Sequence, residues 1–115
     1  MNPLVSLAIH TLNGIEHTRS CLESIERATA EPYELLLVDN GSTDGTVELL
    51  RRHVATHANA RLVLNGENRG FAGGNNQALA LARGRYVVLL NNDTIVTSGW
   101  LERLISALER TPGAG

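Results

Sequence analysis

Apolar residues along the chain fall into two alternating rhythms. Four short, nearly continuous aliphatic runs, at residues 4–9, 34–38, 61–64 and 86–90, have the length and composition of strands. Continuity, in place of strict alternation, is the pattern of parallel strands covered on both faces. Between the runs the apolar spacing lengthens to three and four residues. Cys21, Leu22, Ile25 and Ala28 share one face of a first helix, and Val47, Leu50 and Val54 share one face of a second. A third helix, about residues 71–83, turns Ala78, Leu79 and Ala82 inward. A fourth starts near Gly99 and presents Trp100, Leu101, Leu104, Ile105 and Leu108.

Each strand is followed by a helix, which requires right-handed crossovers. The pattern therefore predicts an α/β fold: an open, mainly parallel sheet with helices on both faces. Ligands of such sheets bind beyond the carboxyl ends of the strands. That rule selects four loops, at residues 10–16, 39–45, 65–74 and 91–98.

Composition narrows the partners. A chain of 115 residues, 43% hydrophobic and 19% charged, is one folded domain. A net charge of −2 offers no positive field to a nucleic-acid backbone or an anionic membrane, and aromatics at 3% leave few platforms for stacking bases. Nucleic acid is excluded as a partner on these grounds. The only cysteine, Cys21, cannot form an internal disulfide, which fits a reducing compartment, and its place on an apolar helix face reads as core, not nucleophile. The first residues, MNPLVSLAIHTLN, have neither the basic region nor the long apolar run of a signal peptide or span, so a cytoplasmic location is expected. Thr111-Pro112-Gly113-Ala114-Gly115 reads as a helix stop and loop where another strand is expected next, hence as a truncated domain.

Three loops carry candidate chemistry. In LLLVDNGSTDGT, Ser42, Thr43 or Asp44 is placed to cap the following helix while Gly41 and Gly45 turn the chain. Capping does not account for Asp39, an acceptor-only carboxylate at a strand tip, suited to the imide N–H of a pyrimidine or to ribose hydroxyls. The segment is not a calcium-binding EF-hand loop, because Arg51 stands where the acidic twelfth ligand belongs. In NGENRGFAGGNNQALA, Gly70, Gly73 and Gly74 either let backbone approach an anion at a helix start or simply permit close packing. Arg69 beside them is a phosphate contact or an ordinary surface charge. In YVVLLNNDTIV, Asn91, Asn92 and Asp93 form either an Asx-rich turn or a set of oxygen ligands for a divalent cation on a diphosphate. His53 and His57, four apart on the second helix, lack a third ligand in the sequence and read as a solvated face.

Taken in order, these segments resemble the family 2 glycosyltransferases of GT-A fold. The resemblance runs from VSLAIHTLNGIEHTRSCLESI through VDNGSTDGT and NRGFAGGNNQALALARGRYVVLLNNDT to GWLERLI, nearly the whole chain. It implies that residues 1–115 are the Rossmann-like, nucleotide-sugar-binding part of a GT-A domain, and NND is similar to the motif of a rhamnosyltransferase-like subgroup. It implies a nucleotide site of Thr11, Asn13, Asp39, Asn76, Asn91, Asn92 and Asp93, with Asp93 binding a divalent cation, Mg2+ or Mn2+. The implied donor is a UDP- or dTDP-sugar, the acceptor a glycan or lipid-linked hydroxyl, the outcome inversion, and the place of action the cytoplasm or the cytosolic face of a membrane. His10 and Leu12 depart from the family's proline and aromatic, and Asn91 replaces the first Asp of DxD, removing a charge from the metal site. The family's catalytic base lies in the second half of the domain, so no residue here is given that role. The isolated chain is then expected to bind donor weakly, to transfer no sugar, and to self-associate through an uncovered sheet edge.

Two other classes compete. A dinucleotide-binding Rossmann domain also places an acid at the second strand, but it needs GxGxxG at the first turn, which here reads HTLNGIEH. A non-catalytic nucleotide-binding or assembly module is the third.

Overall fold

Val5, Leu7 and Ile9 leave one face of the first strand while Ser6, Ala8 and His10 leave the other, and this division organises the whole domain. The structure, a computed structural model, describes residues 3–66 and 70–110. Its elements run β1 (Val5–Thr11), α1 (Ile15–Ala28), β2 (Tyr33–Asp39), α2 (Thr46–Thr56), β3 (Ala60–Leu64), α3 (Gly70–Leu81), β4 (Tyr86–Asn91) and α4 (Trp100–Arg110). The four strands form one sheet in the order β3-β2-β1-β4, every neighbouring pair parallel. The expected α/β architecture is the one observed. Arg69 and residues 111–115 lie outside the described residues.

Two cores sit on the two faces. Val5, Leu7, Ile9, Leu35 and Leu37 pack against Cys21, Leu22 and Ile25 of α1, Leu50 of α2 and Leu101 of α4. Ala8, Leu36 and Val38 pack against Ala78 of α3. Each large aliphatic side chain taken fully out of water contributes roughly 1.5–3 kcal/mol, so the first, larger core dominates stability.

The asymmetry has a consequence at β4. Because α3 lies over β1 and β2, the α3-side face of β4 is left bare, and its burial alternates along the strand instead of running continuously. Val87 is 37% and Leu89 44% exposed. Leu79, expected to point inward, is 50% exposed. On α3 the inward positions are Gly74 and Ala78, both buried, followed by Leu81, and the 100° step per residue carries Leu79 round to the flank. The glycine-led segment is helical from Gly70 to Leu81, within two residues of the helix expected at about 71–83.

A polar cluster closes the amino end of the sheet. Glu34 accepts hydrogen bonds from the Ser6 hydroxyl at 2.5 Å, the Arg83 N–H at 2.6 Å and the Arg61 guanidinium at 2.8 Å. Gly84 donates to Ser6 Oγ at 2.8 Å. A Cβ on Gly84 would stand 2.5 Å from the Ser6 backbone nitrogen, so only glycine fits. A cleft lined by Pro32, Tyr33, Asn59 and Arg61 opens at this end, away from the loops considered next. Among the described residues, no helix is long and apolar enough to cross a membrane.

Candidate functional site

The chain moves outward from β1 to β2 to β3, then returns to place β4 on the other side of β1. Strand order therefore reverses between β1 and β4, and a sheet of this class opens its ligand crevice at such a point, beyond the carboxyl ends. Residues 12–14 after β1 and residues 92–94 after β4 flank that crevice.

The loops after β1 and β2 are sewn together. Asp39, at the tip of β2 and only 1% exposed, accepts from the Thr11 hydroxyl at 2.7 Å and the Ser42 hydroxyl at 2.5 Å on one oxygen. Its other oxygen accepts from the Gly41 N–H at 3.0 Å and the Ser42 N–H at 2.9 Å. Asn13, held at φ 62° in the left-handed region that Asn tolerates, receives Thr43 N–H on its side-chain oxygen at 2.8 Å and donates its own N–H to Ser42 Oγ at 2.7 Å. Thr11 is buried, and its backbone oxygen accepts from Asn40 N–H at 2.9 Å.

Asp44 ties two helix starts at once. Both α1 and α2 have a left-handed glycine at the N-cap, Gly14 and Gly45, with no cap from their own side chains. Asp44 supplies the missing acceptor from one residue further out. One oxygen takes the Thr46 N–H at 3.1 Å and the Thr46 hydroxyl at 2.5 Å, and the other takes the Ile15 N–H at 3.1 Å. The Thr46 hydroxyl bond, with smaller contributions from those N–H groups, holds the Asp44 carboxyl below its ordinary range. Of the three capping candidates, Asp44 is the one that serves the orphan N–H groups of both helices.

The loop after β4 divides its three polar side chains. Asn92 turns back, donating to Thr18 Oγ1 at 3.1 Å and to the Asn13 carbonyl at 3.4 Å, so it fastens this loop to the first. Asn91 and Asp93 on either side are exposed. Cys21 lies beneath, its sulfur 3.9 Å from the Asn91 carbonyl. Burial first, and then the Asp93 charge, push its thiol up to about 11, so it is a protonated core residue and not a nucleophile.

On α3 the geometry separates two neighbouring asparagines. Gln77 exchanges amide hydrogen bonds with Asn65 at 2.8 and 3.0 Å, and Asn65 also donates to Asn40 at 3.0 Å, which fixes one flank of α3 toward β3. The opposite flank, toward β4, carries half-buried Asn75, whereas Asn76 faces outward and is exposed. His10 sits under Gly74, where a Cβ on the glycine would meet the His10 Cβ at 3.5 Å, and is in register with Asn91 across β1 and β4. Burial lowers its imidazole pKa. Sequence reasoning singled out Thr11, Asn13, Asp39, Asn76, Asn91, Asn92 and Asp93; the fold brings six of them to this end of the sheet, while Asn76 stands exposed on the outer side of α3. It missed the Asn40–Asn65–Gln77 amide chain, for which only the polar residues at the two strand ends gave a signal.

Comparison with known proteins agrees with this fold. A glycosyltransferase, AglE, of Haloferax volcanii is 32% identical over 111 residues, which cover 95% of this chain and 36% of that protein. The chain thus spans about a third of that relative's length. A mannosyltransferase of Pyrobaculum calidifontis, solved in complex with GDP-Man and Mn2+, superposes with a TM-score of 0.73 at 33% identity, covering 83% of this chain and 29% of that one. TarS of S. aureus shares the fold, with a TM-score of 0.80 at 22% identity over 96% of this chain and 33% of that one. The family model described as glycosyl transferase family 2 matches residues 6–115. The chain, matched over nearly its whole length, belongs to glycosyl transferase family 2.

Proposed function

We propose that this chain is the donor-binding part of an inverting glycosyltransferase that moves a sugar from a nucleoside diphosphate to an acceptor hydroxyl. One observation carries the reading. At the strand-order reversal Asn91 and Asp93 are exposed while Asn92 is turned back into the loop scaffold, leaving an amide and a carboxylate beside the crevice.

Both are hard oxygen donors, which fits Mg2+ or Mn2+ better than a softer metal. A single carboxylate supplies little charge, so the donor's own phosphates complete the coordination and affinity without nucleotide is low. When bound, the cation neutralises the charge that develops on the departing diphosphate. Asn13, Thr11 and Asp39 shape the wall on the nucleobase side, and Asn75, on the flank of α3 toward β4, closes it. The donor is a UDP- or dTDP-sugar on the sequence resemblance. The mannosyltransferase at 33% identity was solved with GDP-Man, which supports keeping a guanine donor as an alternative.

Asp39 and Asp44 are committed to turns and Asp93 to the cation, so the general base is assigned to none of the three. We assign base and acceptor platform, glycan or lipid-linked, to the rest of the domain. The bare strip of Val87, Leu89 and Leu79 is the surface through which this chain alone would self-associate.

Calorimetric titration with UDP, dTDP and GDP, each with and without Mn2+ or Mg2+, and with NAD as control, tests the proposal. Cation-dependent binding of at least one diphosphate, and none of NAD, is expected. Cation-independent NAD binding returns the dinucleotide reading. A folded chain that binds no nucleotide at all returns the assembly-module reading.

A further inference from the structure

On sequence alone His53 and His57 form a pair without a third ligand. The fold supplies one from 27 residues upstream of His53, because α1 packs beside α2 and brings Glu26 to the same spot. The two imidazoles and the carboxylate each offer one ligand atom, and these atoms lie within 4.8 Å of one another. Donors on one tetrahedral zinc, bound at about 2.0–2.1 Å, stand about 3.4 Å apart, a distance small side-chain rotations reach from here.

The hydrogen bonds around His57 say which atom faces outward. Its Nδ1 lies 2.8 Å from the His53 carbonyl, an acceptor only, so Nδ1 carries the proton and donates. In the neutral ring Nε2 is then a bare lone pair, and it meets the Glu26 carboxylate directly. Two acceptors then face each other, an arrangement relieved either by a second proton on the ring, which makes the contact an ion pair, or by a metal cation held between nitrogen and carboxylate. A ring N–H bonded to a backbone carbonyl, with the other nitrogen free, is also how metal-binding histidines are commonly oriented. The His53 ring stacks on the His57 ring, centroids 3.9 Å apart and planes 5° from parallel, so its nitrogens are beside the same position.

We propose that Glu26, His53 and His57 form a site for a divalent transition metal of the zinc class, fastening the carboxyl-terminal ends of α1 and α2 to each other. Two imidazoles and one carboxylate suit zinc, and also nickel, cobalt or copper, far better than Mg2+. The side chains of His57 and Glu26 are 31% and 43% exposed, so solvent supplies the remaining coordination and the metal has an open path in. The site lies at the amino end of the sheet, the end opposite Asp93, and is independent of donor binding.

The test uses tag-free chain stripped with EDTA and desalted, titrated calorimetrically with zinc chloride and followed by thermal melting. One zinc per chain is expected, with a rise in Tm that EDTA reverses. Glu26→Gln, His57→Gln and His53→Gln should each lose affinity roughly tenfold or more, the scale on which metal sites respond to damaged coordination. Glu23→Gln, on the exposed face of the same helix, should bind as the parent does. Cobalt provides a second reading, because imidazole coordination gives visible absorption that the His→Gln variants should lack. Far-UV circular dichroism establishes that each variant is folded. Absence of saturable zinc binding by the parent chain, or undiminished affinity in folded His57→Gln and His53→Gln, overturns the proposal. Equal loss in Glu23→Gln does the same, since it would show a diffuse acidic surface.

Discussion

Replacing Asp39 by alanine should unfold the nucleotide side of the domain before it reports on any ligand. The carboxylate, 1% exposed, takes four donors: the hydroxyls of Thr11 and Ser42 and the N–H groups of Gly41 and Ser42. A hydrogen bond to a charged group is worth about 1.5–3 kcal/mol net, but bonds sharing one acceptor do not add. The Gly41 and Ser42 N–H groups are only part-buried and recover water. The Thr11 hydroxyl is buried and does not. Counting about two of the four bonds as uncompensated gives a loss of about 3–6 kcal/mol, a large share of a stability on the order of 5–15 kcal/mol. Asp39→Asn should cost less, about 1–2 kcal/mol, because its amide oxygen can serve the two N–H groups while the hydroxyls rotate and accept from its NH2. Urea denaturation followed by circular dichroism at neutral pH gives both numbers, and calorimetry on the folded fraction gives nucleotide affinity. Unchanged stability in Asp39→Ala alongside weakened UDP or dTDP binding would refute this reasoning and make the carboxylate a direct ligand of base or ribose. So would Asp39→Asn proving the more damaging of the two.

Three further outcomes are expected. Asp93→Ala should abolish the cation dependence of nucleotide binding in calorimetry while stability stays within about 0.5 kcal/mol, as for an exposed residue outside any packed contact. Burial alone would raise the Glu34 carboxyl, but hydrogen bonds from Ser6, Arg83 N–H and Arg61, with the Arg61 charge, outweigh it and hold the carboxyl below its ordinary 4.5. Its folded value being depressed, Glu34 contributes stability above pH 4.5 that is lost as pH falls below it; urea midpoints against pH should show a shallower acid limb in Glu34→Gln. Gly84→Ala should cost about 1–3 kcal/mol in urea melts, since its Cβ meets backbone at 2.5 and 2.6 Å, where no side chain can yield.

Much of this protein was legible in the order of its residues. Aliphatic runs fixed four strands, three-and-four spacing put Cys21, Leu22 and Ile25 on one helix face, and their alternation dictated a parallel sheet with its ligand loops at one end. Those are local regularities, readable within a dozen residues. What tertiary structure alone decided depends on groups far apart in the chain. Whether Asp39 faces a ligand or a turn rests on Thr11, 28 residues away. Asn92 is distinguished from its neighbours by Thr18, 74 residues away. The bare face of β4 follows from where α3 lies across the sheet, and this also left Leu79 outside although its spacing suited a core position. His53 and His57 gain Glu26 only because α1 and α2 pack side by side. Periodicity determines which face of an element is apolar. A polar side chain's role is set by the donors and acceptors that the packing of separate elements brings within about 3 Å, and no local pattern encodes them.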